Sequence, residues 1–161
     1  IDLIAMIRVR SISPQHTARL AAAVAGLVTA GDVVVLAGEM GAGKTAFAQG
    51  VGRAMGVHEP ITSPTFALLH SYAGRDLALY HADVYRLETR NELADLGLGE
   101  LDDGVVVVEW GDVVALALGD HLAVTLLADP ADDEARQVTI EAVGRAWATR
   151  WDALEQAVNL A

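Results

Sequence analysis

The sequence predicts an α/β domain, a mixed β-sheet flanked by helices. Three observations carry that prediction. Asp32–Ala37 is a continuous apolar run rich in valine, as expected of a strand buried on both faces. A glycine-rich turn and a helix-forming stretch follow it directly. Further strand-like and helix-like segments then alternate along the chain. At 161 residues the chain has the length of a single domain, 1–161, since a domain averages about 150 residues.

Taken in order, Ile4–Val9 reads as an opening strand. Ser13-Pro14 reads as a helix N-cap with proline at the first helical position, and the Ala-rich helix runs to Val28 before Ala30-Gly31. After the strand Asp32–Ala37, a second helix spans Lys44 to Met55 and closes at Gly56. Gly50 and Gly52 fit close packing of that helix on the sheet. His58-Glu59-Pro60 and Ser63-Pro64 mark a loop. Phe66–Tyr72 and Leu77–Asp83 read as a hairpin around Ala73–Asp76. Glu92–Leu96 is a short helix and Val105–Glu109 another buried strand. Leu122–Leu127 and Gln137–Ala142 pair across an acidic loop, Asp129–Glu134, and Ala146–Val158 closes the chain as a helix.

Composition excludes several functions. Hydrophobic residues make up 53% and charged residues 20%, which is ample for a core and unlike a disordered chain. There is no cysteine, so disulfides, thiolate catalysis and Cys-ligated metals are excluded. The apolar runs fall far short of the roughly 18 residues needed to cross a bilayer, and Ile1–Arg10 makes a poor signal peptide. The expectation is a cytoplasmic protein with no membrane partner. The 11 basic residues face 22 acidic ones, a net charge of −11, which argues against broad nucleic-acid binding. Ten of the basic residues are arginine, and Lys44 is the one lysine.

That lysine lies in Gly38-Glu39-Met40-Gly41-Ala42-Gly43-Lys44-Thr45, which matches the phosphate-loop pattern G-x-x-x-x-G-K-[ST]. Gly38, Gly41 and Gly43 let the backbone adopt conformations closed to other residues and approach a phosphate closely. Successive N–H groups then form an anion nest, and the following helix adds the positive end of its dipole. In this motif the lysine reaches the β- and γ-phosphates and the Thr45 hydroxyl binds Mg²⁺. The strand before the loop and the helix after it supply the required context. The fold expected is therefore P-loop NTPase-like, with ATP and Mg²⁺ as cofactors and a cradle running through Glu39, Met40, Gly41, Ala42, Gly43, Lys44, Thr45 and Ala46.

A metal-bound nucleotide needs a second anchor at a strand end. Asp83 and Glu109 both qualify, and the sequence leaves open which of them contacts the metal. Guanine-specific and transporter-type signatures are missing. Two classes survive: a nucleotide switch that hydrolyses ATP to drive a partner, and a small-molecule P-loop kinase. A nucleotide-binding scaffold without turnover is a third. The kinase would need several cations to clamp a migrating phosphoryl group. Arg86 and Arg90 could serve, but no arginine-rich lid segment is present.

Gly38–Thr45, Ser63-Pro64-Thr65-Phe66, His81-Ala82-Asp83-Val84-Tyr85-Arg86-Leu87 and Glu109-Trp110 together resemble the bacterial TsaE family, the ATPases of tRNA threonylcarbamoyladenosine biosynthesis. Order and spacing agree from about Ser13 to Ala142. Two departures stand out: Glu39-Met40 where the family often has Asp-Leu, and Ala46 where a second Thr is common. The resemblance implies slow Mg²⁺-dependent ATP hydrolysis that sustains a threonylcarbamoyl transferase (TsaD-like) and its inactive paralogue (TsaB-like). Contact with tRNA would then be indirect. Carried over residue by residue, it makes Lys44, Asp83, Glu109 and Thr65 catalytic, with Thr65 a switch-loop residue sensing γ-phosphate or metal. Thr45, Glu109 and Asp83 become the metal side. Ser13 falls near the base, or caps its helix, and Arg136 falls near the nucleotide. Trp110 reads as a cover for the nucleotide, a partner contact or core. Tyr85-Arg86 reads as a partner surface or sheet-edge anchor. Trp147 and Trp151 read as core or partner packing, and His70 and His81 as strand packing.

Overall fold

The apolar run after Asp32 lies at the middle of a mixed sheet, as its two-sided hydrophobicity requires. The structure, a computed structural model, describes residues 3–63, 69–85, 87, 90–110, 112 and 115–161. Its strands are β1 (Leu3–Ser11), β2 (Val33–Ala37), β3 (Leu69–Ala73), β4 (Ala78–Asp83), β5 (Gly104–Glu109), β6 (His121–Asp129) and β7 (Asp132–Val143). Its helices are α1 (Pro14–Ala25), α2 (Lys44–Ala54), α3 (Arg90–Asp95) and α4 (Trp151–Leu160). The strand order is β1-β7-β6-β2-β5-β4-β3. The central strands β6, β2, β5 and β4 run parallel, and β3, β7 and β1 join antiparallel. Parallel pairing brings the C-terminal ends of β2, β4, β5 and β6 to one edge, where ligands of open α/β sheets bind.

The side chains of α1, α2 and α4 cover one face with a core that includes Leu20, Phe47, Leu79, Val107 and Leu154. Ala82, Val84, Val106 and Val108 face the other way and meet Leu87, Leu98 and Leu93 of α3. Helix α2 lies close against its neighbours at two glycines. A Cβ at Gly50 would come within 2.8 Å of Ala21 Cβ, and one at Gly52 within 2.1 Å of Ile61 Cδ1.

Several boundaries differ from expectation. Helix α1 stops at Ala25 rather than Val28, because the Gly26 and Leu27 N–H groups close back on the Ala22 and Val24 carbonyls. Strand β2 starts at Val33, because the Asp32 carboxylate accepts from Thr29 N at 2.7 Å and caps the preceding turn. The acidic stretch is mostly strand. Asp129 pairs with Asp132 across a two-residue link, Pro130-Ala131. The Asp129 and Asp132 carboxylates there accept from the Ala131 and Glu134 N–H groups, the usual turn chemistry of aspartate. The closing helix begins with a 3₁₀ turn, Ala148–Arg150, and α4 follows. Trp147 and Trp151 are core residues, as one of their readings had it. The first part of the predicted strand Phe66–Tyr72 lies outside the described residues.

Candidate functional site

The loop between β2 and α2 sits at the strand-end edge of the sheet. It leaves β2 at Gly38, whose φ of 142° and closeness to the Leu126 carbonyl, 2.3 Å from a hypothetical Cβ, exclude any side chain. It enters α2 through Gly43, at φ 108°, which supplies no side-chain cap. The first N–H groups of α2 therefore keep their capacity for an anion. Glu39, Met40, Gly41 and Ala46 are exposed along this loop, and Ala46 offers no hydroxyl.

Lys44 is folded back into the loop. Its Nζ donates to the Gly38 carbonyl at 2.6 Å and the Glu39 carbonyl at 2.9 Å, and lies 3.7 Å from the centre of the Trp110 ring. Burial pushes its ammonium below the ordinary lysine value, against the opposing pull of Glu109, Asp112 and Asp83. Trp110 holds this place with a backbone φ of 63°, the one non-glycine residue in that region among the described residues. Its N–H donates to the Leu36 carbonyl at 2.8 Å, and its ring leans on Tyr85 with centroids 4.7 Å apart. A bulky residue in the left-handed region is strain of the kind that gathers at functional sites.

Thr45, the second residue of α2, points at the end of β5. Its Oγ1 donates to Glu109, 3.0 Å from Oε1 and 3.1 Å from Oε2. Glu109 is 3% exposed and bonds through Oε2 to His81 Nε2 at 2.5 Å. His81, read from sequence as packing, is thus a polar neighbour of the site. The signal available was its place two residues before Asp83, on the same face of β4. Asp83 pairs in register with Glu109, and its Oδ1 accepts from Tyr85 N at 2.9 Å. Of the two candidate carboxylates, then, Glu109 meets Thr45, while Asp83 flanks it. Asp112, which sequence reasoning missed, adds negative charge near Lys44.

Arg136 reaches the loop from β7. Its Nε donates to the Ala42 carbonyl at 2.9 Å, and Nη1 to the carbonyls of Asp133 and Ala135 at 2.6 and 2.7 Å. It grips the loop's backbone. Ser13 caps α1, its Oγ accepting from His16 N at 3.0 Å. Ser11, beside it, pairs with Arg136 across the ladder. Thr65, with Pro64 and Phe66, and Arg86 lie outside the described residues.

A glycine-rich loop that joins a central parallel strand to a helix, with its Lys–Thr pair facing a carboxylate on the adjacent strand, defines a P-loop α/β protein. The family model described as threonylcarbamoyl adenosine biosynthesis protein TsaE matches residues 11–138. The chain belongs to the TsaE family. It is 45% identical over 132 residues to the tRNA threonylcarbamoyladenosine biosynthesis protein TsaE of Treponema pallidum, covering 81% of this chain and 96% of that one. To the Bacillus subtilis protein of the same name it is 35% identical over 153 residues, covering 94% and 95%. The crystal structure of YdiB from Bacillus subtilis superposes with a TM-score of 0.79 at 28% identity, covering 97% of this chain and 98% of that one. Among the described residues no helix is long and apolar enough to cross a membrane.

Proposed function

We propose that this protein binds ATP with Mg²⁺ at the loop 38–45 and hydrolyses it slowly, in the cytoplasm, in support of threonylcarbamoyladenosine formation on tRNA. The observation that carries the reading is the meeting of Thr45 Oγ1 and Glu109 at 3.0 Å, one residue from a buried lysine at the start of α2. Mg²⁺ characteristically takes one or two protein oxygens and completes its shell with water and substrate phosphates. The donor set here suits that habit, with a hydroxyl and a carboxylate on rigid elements. When bound, Mg²⁺ neutralises charge on the β- and γ-phosphates.

The remaining roles fall to the chain's own groups. The N–H groups of Gly41, Gly43, Lys44 and Thr45 bind phosphate oxygens, while that of Ala42 donates to the Glu39 carbonyl at 3.0 Å and closes the loop. Lys44 exchanges its two carbonyl partners for the phosphates, a stronger charge-assisted interaction. Asp83, beside Glu109 and outside its contact with Thr45, orients the attacking water. Arg136 fixes the loop through the Ala42 carbonyl. Thr65 is assigned the γ-phosphate-sensing role by its place in the family motif.

The partners in this reading are a TsaD-like threonylcarbamoyl transferase and its inactive TsaB-like paralogue. The net charge of −11 supports leaving tRNA recognition to them. The test has three arms. Purified protein with ATP and a panel of metabolites should release phosphate and yield no phosphorylated metabolite. Gel-shift titration with tRNA at physiological salt should show at most weak, salt-sensitive binding. Depletion in the host should lower threonylcarbamoyladenosine in bulk tRNA. Normal modification after depletion would refute the proposal.

A further inference from the structure

His81 lies at the centre of β4 with 0% exposure, among apolar groups. Its register partner is Val107, and Leu79, Val105 and Val107 share its face of the sheet. A valine or leucine there would complete the core. Instead the chain buries an imidazole, and Nδ1 has no hydrogen-bond partner among the described residues. Burying a polar atom unpaired is a cost that an aliphatic side chain would avoid. The compensation lies on the other nitrogen, with Nε2 2.5 Å from Glu109 Oε2.

We infer that His81 is the positioning residue for Glu109: by holding Oε2 it fixes the direction of that carboxylate so that both of its oxygens lie within reach of the Thr45 hydroxyl. The inference rests on the reading of Thr45 and Glu109 as the Mg²⁺ side of the site. Glutamate has three rotatable side-chain bonds, and burial alone does not choose among its rotamers. Two contacts choose here, Thr45 from α2 and His81 from β4. Were both to hold an ion, Thr45 and Glu109 would give up their direct bond. His81 is then the remaining anchor on Glu109 among the described residues. Outer groups of this kind orient metal ligands, and their loss typically lowers metal affinity or activity by roughly 10–100-fold.

The test measures binding as well as turnover. Wild type, His81→Leu and His81→Gln are titrated with the non-hydrolysable analogue AMP-PNP by calorimetry, with EDTA and with Mg²⁺, and ATP turnover is followed against Mg²⁺ concentration. His81→Leu keeps volume without a donor, and His81→Gln carries an amide N–H that can reach the position of Nε2. For His81→Leu, affinity in EDTA should stay within about twofold of wild type, while the Mg²⁺-dependent gain and kcat fall by about tenfold or more. His81→Gln should recover most of both. In a Glu109→Gln background, His81→Leu should add no further loss. A folded His81→Leu protein with wild-type Mg²⁺ dependence would overturn the inference, as would an additive loss in the double variant. If both substitutions unfold the protein, His81 is a structural residue and the inference falls. A wild-type protein whose AMP-PNP affinity ignores Mg²⁺ refutes the underlying metal reading, and that result is seen before any variant is made.

Discussion

The two ends of β2 are built on opposite terms. At its N-terminal end, Asp32 receives Arg150 through two bonds, of 2.5 and 3.0 Å. The same guanidinium donates to the carbonyls of Leu27 and Ala146 and lies 4.0 Å from the Trp147 ring. The Asp32 and Arg150 charges match each other, and the clasp ties α4 to the sheet, although Trp147 Nε1 under it has no hydrogen-bond partner among the described residues and α4 starts without a side-chain cap. At the C-terminal end, a buried lysine is hydrogen-bonded, among the described residues, to carbonyls of its own loop, and a tryptophan is held in the left-handed region. The buried His81 there keeps Nδ1 unpaired among the described residues while its Nε2 meets Glu109. Each end has an unpaired ring nitrogen and an uncapped helix start, so what separates them is charge and backbone. Arg150 is closed on a carboxylate, whereas Lys44 rests on carbonyls beside a residue in the left-handed region, the kind of local conflict expected where a fold serves a ligand. One strand carries both designs within five residues, Val33–Ala37.

The comparison breaks most sharply at Lys44. Lys44→Ala should cut ATP turnover by about 10³-fold, the scale of one preorganised charge at a developing negative site. Stability should hold or rise, because burial already disfavours the Lys44 charge. A paired measurement of phosphate release and Tm checks both halves. Wild-type turnover in this variant would remove the phosphate-loop mechanism.

The carboxylates come next. Asp83→Asn and Glu109→Gln should each lower turnover by about 10²-fold, the usual loss for one positioned acid–base or electrostatic group. Their different contacts predict different signatures. Glu109→Gln should also raise the Mg²⁺ concentration needed for half-maximal turnover, since Thr45 meets Glu109. Asp83→Asn should leave that concentration unchanged. Equal shifts in both variants would mean that the two carboxylates share the ion.

At the opposite end, Arg150→Ala should spare turnover per folded molecule and reduce stability by about 2 kcal/mol. That is below the loss expected of a fully buried pair, because Arg150 is partly exposed and water screens it. Urea unfolding, read as a change in midpoint, measures it.

Parts of both ends were legible in the sequence for a common reason. The apolar runs of β2 and β5, the loop glycines and the Ser13-Pro14 helix start are local signals. Chemistry within a few residues dictates the structure there. What was not legible depends on partners far along the chain. His81 looks like packing until Glu109 arrives from 28 residues away. Arg136 shows no local sign of its contact with the loop, since its Nε meets the Ala42 carbonyl from 94 residues away. The acidic run Asp129–Glu134 suggests a loop by composition. Its aspartates instead bond to nearby N–H groups and allow a tight turn inside a long hairpin. The side-by-side placement of β1 and β7 is likewise a long-range pairing with no local mark.

The smallest expected effect is also the finest test of the contrast. Asp83, Glu109 and Asp129 are all acidic residues at C-terminal strand ends on the same edge of the sheet. Residue type and position do not distinguish them, but partners do. Asp129 accepts from Arg10 Nε at 2.7 Å, Ala131 N at 2.8 Å and Gln137 Nε2 at 2.9 Å. The Arg10 hydrogen bond first, then the Ala131 N–H, hold its carboxyl below the ordinary aspartate value. A depressed carboxyl stabilises the fold above the unfolded-state value, about 3.9, and that contribution is lost as pH falls through the lower folded-state value. Asp129→Asn should therefore be slightly less stable than wild type at neutral pH. The gap should close as the medium is acidified below the ordinary aspartate range, because wild type then loses the same charge. Turnover should not change at any pH where the protein stays folded. Urea midpoints for both proteins across the acid range, with phosphate release at neutral pH, give the answer. A pH-independent gap would mean that the carboxylate charge is not what the cluster uses. A large loss of turnover would move Asp129 to the ligand-serving side and erase the distinction between matched and unmatched strand ends.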